Sequence, residues 1–175
     1  MSIINVVGAK IWGGGEQYVY DICKQLQQRH RTAYILVDQS NEDMQSRYAQ
    51  VGHVMTANLY TLKGFLSVNA VAKQMKEQGI NTIVCHSGKY ILFCIALKQL
   101  TGAKLVFIKH NLVPGKTDIY HRWINAQVDA FVCVSKLVYD DLMTPAIKDT
   151  SKYHVVYNGI AVSYTHLTLP TKLEV

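Results

Sequence analysis

The chain has 175 residues, 49% hydrophobic and 17% charged, enough for one packed domain and too few for two of ordinary size. Its charges are scattered rather than blocked, which excludes a disordered or low-complexity chain. The net charge of +6 and a pI near 9.1 favour anionic partners, but no aromatic RNA-binding motif, zinc-knuckle spacing or polybasic run accompanies them, so nucleic acid is not expected as a partner.

Along the chain, short β-branched runs alternate with longer segments of helical period, the pattern of a parallel sheet covered by helices. The sequence predicts a strand over Ile3–Val7, a glycine-rich loop, and a helix from about Gly15 to His30. That helix carries Tyr18, Ile22, Cys23 and Leu26 on its apolar stripe and Asp21, Lys24, Gln25, Gln28 and Arg29 on its wet side. Strands follow at Ala33–Val37 and, with a weaker pattern, at His53–Ala57. A helix is expected over Lys63–Gln78, with Phe65, Leu66, Val68, Ala72 and Met75 inward and Gly79 as its C-cap. Next come a strand at Thr82–Cys85, a more apolar helix at Tyr90–Leu100 ending near Gly102, and a strand at Lys104–Lys109. Shorter helices at Asp118–Gln127 and Leu137–Met143 alternate with strands at Ala130–Val134 and His154–Tyr157, and Pro145 blocks extension of the last helix.

The expected fold class is α/β: one Rossmann-like domain over residues 1–161, a parallel sheet with helices on both faces. Residues 162–175 break the alternation and are expected to be a non-native or disordered tail. Cys23, Cys85, Cys94 and Cys133 lack any Cys-x-x-Cys pairing and lie mostly in apolar segments, so they read as reduced core thiols. No secretory signal precedes the first strand and no apolar run reaches membrane-spanning length. A cytoplasmic protein, with peripheral contact at the inner membrane face, is the expectation.

In an open parallel sheet, ligands bind beyond the carboxyl ends of the strands, where loops and helix N-termini converge. The first strand is followed by Gly8-Ala9-Lys10-Ile11-Trp12-Gly13-Gly14-Gly15-Glu16. This is either a phosphate-contacting loop or a tight turn in which Glu16 complements the helix dipole. It is not a P-loop, since Gly14 and Gly15 stand where Lys and Ser/Thr are required, nor a dinucleotide fingerprint, since Tyr18 replaces the third glycine. Later strands end in Cys85-His86-Ser87-Gly88-Lys89, Lys109-His110-Asn111 and Ser135-Lys136. His86 and His110 fall at corresponding ends of strands expected to be neighbours, where imidazole can donate to or accept from hydroxyl groups. His30, His53, His121, His154 and His166 have no such placement and read as surface or packing residues. No histidine pair has metal-ligand spacing with carboxylates, so no metal is expected, and no Gly-x-Ser-x-Gly elbow is present.

Taken in order, these pieces resemble the family-4 retaining glycosyltransferases of the GT-B fold. The resemblance rests on Gly13-Gly14-Gly15-Glu16, Val84-Cys85-His86-Ser87, Lys109-His110-Asn111, Phe131-Val132-Cys133-Val134-Ser135-Lys136 and Val155-Val156-Tyr157-Asn158-Gly159-Ile160. It implies the N-terminal, acceptor-side half of an enzyme that transfers a sugar from a nucleotide-sugar donor to a glycan or lipid-linked acceptor, as in cell-envelope polysaccharide synthesis. It further implies no metal and no cofactor beyond that donor. By the same resemblance His110 is the catalytic residue beside the transferred sugar, and Gly13, Gly14, Gly15 and Glu16 form the loop near the donor phosphate or acceptor. His86, Asn111, Ser135 and Lys136 carry over as binding residues.

Where the family has Asn-Gly-Ile-Asp, this chain has Asn158-Gly159-Ile160-Ala161. The donor-binding half is expected beyond that point and missing here, so the chain is expected to have little or no activity alone. Three rival classes remain. A GT-B nucleotide-sugar 2-epimerase would want a carboxylate pair at the strand ends, which the sparse acids do not offer. A non-catalytic α/β binding module would use the same polar residues to hold a ligand. A nicotinamide dehydrogenase would find its acidic residue in Asp38 but not its glycine fingerprint. Lys89, Lys109, Lys116 and Arg122 form a basic neighbourhood suited to a phosphorylated or lipid-linked glycan, or a solvated surface.

Overall fold

The computed structural model describes residues 2–60, 64–143, 147 and 149–158, apart from the Phe65 side chain. The tail expected at 162–175, Pro145, His166 and the helix start expected at Lys63 lie outside these residues. Strands β1 (Ile3–Val7), β2 (Tyr34–Asp38), β3 (His53–Ala57), β4 (Thr82–Cys85), β5 (Lys104–Lys109), β6 (Ala130–Cys133) and β7 (Tyr153–Val155) form one sheet. Helices α1 (Gly14–Gln28), α2 (Glu42–Tyr48), α3 (Gly64–Glu77), α4 (Ile91–Thr101), α5 (Ile119–Gln127) and α6 (Lys136–Leu142) connect them, with a short 3-10 turn at Gly88–Tyr90 leading into α4.

The strand order is β3-β2-β1-β4-β5-β6-β7, and every pairing is parallel. The chain therefore winds outward from β1 to β3, returns to lay β4 beside β1, and winds outward the other way to β7. The crossing point between β1 and β4 is a topological switch, where successive connections diverge and leave a crevice at the carboxyl ends. The expected doubly covered Rossmann-like sheet is thus the observed fold.

Alternation along β1 and β2 divides the core between the two faces. Val7, Ile35 and Val37 pack with Val19 and Cys23 of α1 and with Met44 and Tyr48 of α2. Ile4, Val6 and Leu36 face the opposite way, into a larger cluster that runs through Ile83, Leu97, Leu105 and Phe131. All four cysteines are buried and unpaired. Among the described residues no helix is long and apolar enough to cross a membrane.

Several boundaries and faces differ from expectation. Helix α2 was not expected: seven residues give little periodicity, although Asn41 caps it by accepting from the Met44 amide and Glu42 and Asp43 occupy its first turn. In α1 the fully buried positions are Val19 and Cys23, with Tyr18 half-buried at the flank where it meets other rings. In α3, Leu66 is 82% exposed and Val71 takes the inward place beside Val68, Ala72 and Met75. Gly79 and Gly102 end α3 and α4 with φ of +64° and +72°, the left-handed turn that glycine adopts without strain. Strand β3 is at the sheet edge and mostly unburied, which explains its weak pattern.

Leu97→Ala removes a fully buried side chain from α4 and is expected to lower unfolding stability by about 2–5 kcal/mol in urea titration. Leu66→Ala, on the exposed face of α3, is expected to change it by less than about 0.5 kcal/mol.

Candidate functional site

The crevice at the switch point is a cleft of about 530 Å³. Its walls come from the loop after β1 (Ala9, Lys10, Ile11), the first turn of α1 (Gly14, Gly15, Glu16), Tyr60, the segment after β4 (His86, Ser87, Lys89, Tyr90) and the end of β5 (His110, Asn111). Six of the nine residues singled out from the sequence meet here: Gly14, Gly15, Glu16, His86, His110 and Asn111. Gly13 adjoins them as the N-cap of α1. Ser135 and Lys136 lie outside the cleft wall, with internal partners: the Ser135 hydroxyl caps α6 by accepting from the Val138 amide, and Lys136 pairs with Asp140 at 2.7 Å.

The glycine loop is fixed by side chains that the sequence pattern did not reveal. Asn41 Nδ2 donates to the Ala9 carbonyl at 2.9 Å, and the Tyr48 hydroxyl donates to the Glu16 carbonyl at 3.0 Å. Trp12 packs against Tyr48 and Tyr20, donates through Nε1 to Gln17, and lies under the Arg47 guanidinium at 4.9 Å. Helix α2 supplies or caps most of these contacts. Buried Asp38 ends β2 by accepting from the Ser40 and Leu59 amides, a structural use of the acid that a dehydrogenase would turn to a ribose.

At the N-terminus of α1 the Glu16 carboxylate accepts from the Gly13 amide at 3.1 Å, so part of the helix-dipole field is already answered from within the chain. The tight-turn reading of the loop is therefore correct as far as Gly13 goes. Gly14 and Gly15 are different. A Cβ at Gly14 would meet nothing within 4 Å, and one at Gly15 would meet only the His110 ring, at 3.9 Å. Packing within the chain does not require glycine at either place; its absence of a side chain leaves open space above His110. Gly8, by contrast, is required, because a Cβ there would stand 2.9 Å from Tyr60 and Tyr90.

Beneath that space runs a line of polar groups between the sheet and α1. His110 Nε2 is 3.0 Å from His86 Nδ1, and His86 Nε2 is 3.1 Å from Asn5 Oδ1. Asn5 Nδ2 points on to Cys23 Sγ at 3.9 Å. Tyr18 meets both imidazoles edge to face. Asn5 was not singled out from the sequence, although it is the one polar residue in the apolar run Ile3-Ile4-Asn5-Val6-Val7 and is only 4% exposed. Among the described residues no three His, Cys, Asp or Glu side chains are arranged to hold a metal ion.

Burial, and second the neighbouring His110, press the His86 pKa from the usual imidazole range to about 3, and burial lowers His110 as well. The unfolded chain binds these protons near roughly pH 6.5, whereas the folded chain resists them. Their contribution to stability is therefore complete above about pH 6.5 and declines as pH falls toward 3. Thermal melts from pH 7.5 to 4 are expected to show a falling Tm, with a shallower slope in His86→Gln. Equal slopes in the two proteins would exclude His86 as a cause.

The sequence pattern of Glycosyltransferase Family 4 matches residues 12–164. No curated protein matches the sequence significantly. A glycosyltransferase from Rickettsia africae is similar in fold, with a TM-score of 0.77 at 19% identity over 91% of this chain and 43% of its own. Anabaena HepE, solved with UDP and glucose, superposes with a TM-score of 0.68 at 17% identity over 91% of this chain and 45% of its own. A UDP-GlcNAc 2-epimerase from Neisseria meningitidis, bound to UDP-GlcNAc, reaches 0.63 at 10% identity over 90% of this chain and 47% of its own. This chain thus spans less than half the length of each of these three structures. With the family pattern covering most of the sequence, the chain belongs to Glycosyltransferase Family 4.

Proposed function

We propose that this chain is the N-terminal, acceptor-side half of a retaining, metal-independent glycosyltransferase that moves a sugar from a nucleotide-sugar donor to a glycan or lipid-linked acceptor. The observation that carries this reading is the meeting of His110 with the side-chain-free first turn of α1 at the sheet's switch point, in a chain of this family. HepE with UDP and glucose supports a uridine nucleotide donor.

In this reading the acceptor occupies the cleft and the second half of the enzyme brings the donor over it. The Gly14 and Gly15 amides, at the positive end of α1, would meet the negative charge that grows on the departing diphosphate. Lacking side chains, they let it approach the backbone. His110 lies directly below and would touch the transferred sugar or the attacking hydroxyl. Asn111 and Lys89 line the rim and would bind acceptor hydroxyls or phosphate. Exposed Lys89, Lys116 and Arg122 favour an anionic or lipid-linked acceptor presented at the cytoplasmic face of a membrane. Lys109 contributes less, because its ammonium is drawn back over the Phe107 ring and burial lowers its pKa.

The epimerase alternative is weaker on one observation. Among the described residues lining the cleft the only carboxylate is Glu16, and it is held on the Gly13 amide, so no carboxylate pair is poised to move protons on a sugar ring.

The chain alone is expected to give no turnover with a panel of nucleotide sugars, and the protein carrying both halves to transfer sugar equally well in EDTA. Robust turnover by the isolated chain would overturn the half-enzyme reading. In the two-half protein, Gly15→Ala is expected to leave stability within about 1 kcal/mol of the parent. The same change is expected to lower kcat/KM by about 10- to 100-fold, because the new methyl enters space reserved for ligand.

A further inference from the structure

The imidazole pair in the cleft holds more information than a contact distance. The ring centroids of His86 and His110 are 5.3 Å apart with planes inclined by only 21°. With the nitrogens 3.0 Å apart, the two rings meet edge to edge in nearly one plane, not face over face. That is the geometry of an N–H directed along a neighbouring lone pair, so one nitrogen donates and the other accepts.

Which one donates is decided at the far end of the line. A carboxamide oxygen only accepts, so the Asn5 Oδ1 facing His86 Nε2 requires the hydrogen to sit on Nε2. A neutral imidazole has one hydrogen, and His86 is kept neutral by its enclosure. His86 Nδ1 is then a bare lone pair and can only accept, which places the facing hydrogen on His110 Nε2. The remaining nitrogen of His110, Nδ1, makes no hydrogen bond to the described residues, and His110 lines the cleft.

We infer that Asn5 is a positioning residue: through His86 it fixes His110 in the Nε2–H form and leaves the Nδ1 lone pair of His110 for a ligand in the cleft. At that point the cleft offers an acceptor, and it selects a group that donates, a hydroxyl or an amide N–H, over a carbonyl or phosphate oxygen. A proton reaching His110 enters at Nδ1 and leaves the bond to His86 intact. A proton on His86 would instead set two N–H groups against each other. The relay rests on the reading of His110 as a ligand-contacting group only for its consequence in catalysis, not for its chemistry.

The test uses long-range proton–nitrogen correlation spectra of the uniformly labelled 175-residue chain above pH 7.5, with His86 and His110 assigned by substitution. A single tautomer is expected for both rings, protonated at Nε2. Asn5→Ala is expected to convert both rings to tautomer mixtures. Asn5→Asp, whose carboxylate can only accept, is expected to restore the Nε2–H form at both and to raise the His86 pKa. Should Asn5→Ala fail to fold, the parent spectrum and Asn5→Asp decide the matter. His110 protonated at Nδ1 in the parent chain, or an unchanged single tautomer in folded Asn5→Ala, would overturn the relay. In the two-half protein Asn5→Ala is expected to lower kcat by about 10-fold with KM little changed, and Asn5→Asp to recover most of it. Absence of sugar transfer in that protein, with the tautomer result as expected, would sink the transferase reading and leave the relay standing.

Discussion

Because all seven strands among the described residues run the same way, their carboxyl ends open on a single rim, and the chain leaves β1 and β4 in opposite directions. The connections that follow those two strands diverge, so a crevice is left there by topology before any side chain is chosen. Everything polar that matters is then delivered to it by strand length and register. Val6 pairs with Cys85 and Cys85 with Phe107, so the residues just beyond β1, β4 and β5 arrive at neighbouring heights. The glycine loop, His86 and His110 are brought together by that alignment.

Two opposite demands meet at the start of α1. A helix N-terminus exposed to solvent is steadied by a carboxylate, and Glu16 provides one. A site for anionic groups needs the same amides unoccupied. The chain divides the turn between them: the Gly13 amide is answered by Glu16, while the space beside Gly14 and Gly15 is left open by the described side chains. The division holds only if the loop cannot shift, and α2 supplies the rigidity through Asn41, Arg47 and Tyr48. A seven-residue helix with no part in the cleft thereby sets the geometry of the cleft's roof.

Most of the fold was readable because a two-sided parallel sheet imposes continuous apolar runs on its strands, and β1, β2, β4 and β5 obey this closely. The pattern thins where burial is partial. Edge strand β3 gave a faint pattern, α2 was too short to repeat, and Leu66 is apolar without being inside. For the site, the strand-end rule found His86 and His110 because polar residues there interrupt a strong pattern. The same rule points to Ser135 and Lys136, which lie outside the cleft wall and have partners on α6. Asn5 gives the opposite signal: it is inside a strand, where one polar residue among four apolar ones leaves the strand pattern intact. Tyr60 and the bracing of Trp12 depend on contacts between segments far apart in sequence, which no local pattern encodes.

The two faces of the sheet are unequal in a way that bears on motion. The cluster under α1 and α2 is small, and the line from Cys23 through Asn5 to His110 occupies ground that apolar side chains would otherwise fill. The opposite cluster is continuous from β2 to β7. The α1–α2 face is therefore held by a smaller apolar cluster than the opposite face. The loop that walls the cleft and the smaller half of the core are the same piece of chain, so a ligand that seats against α1 also steadies the face of the sheet with the smaller apolar cluster.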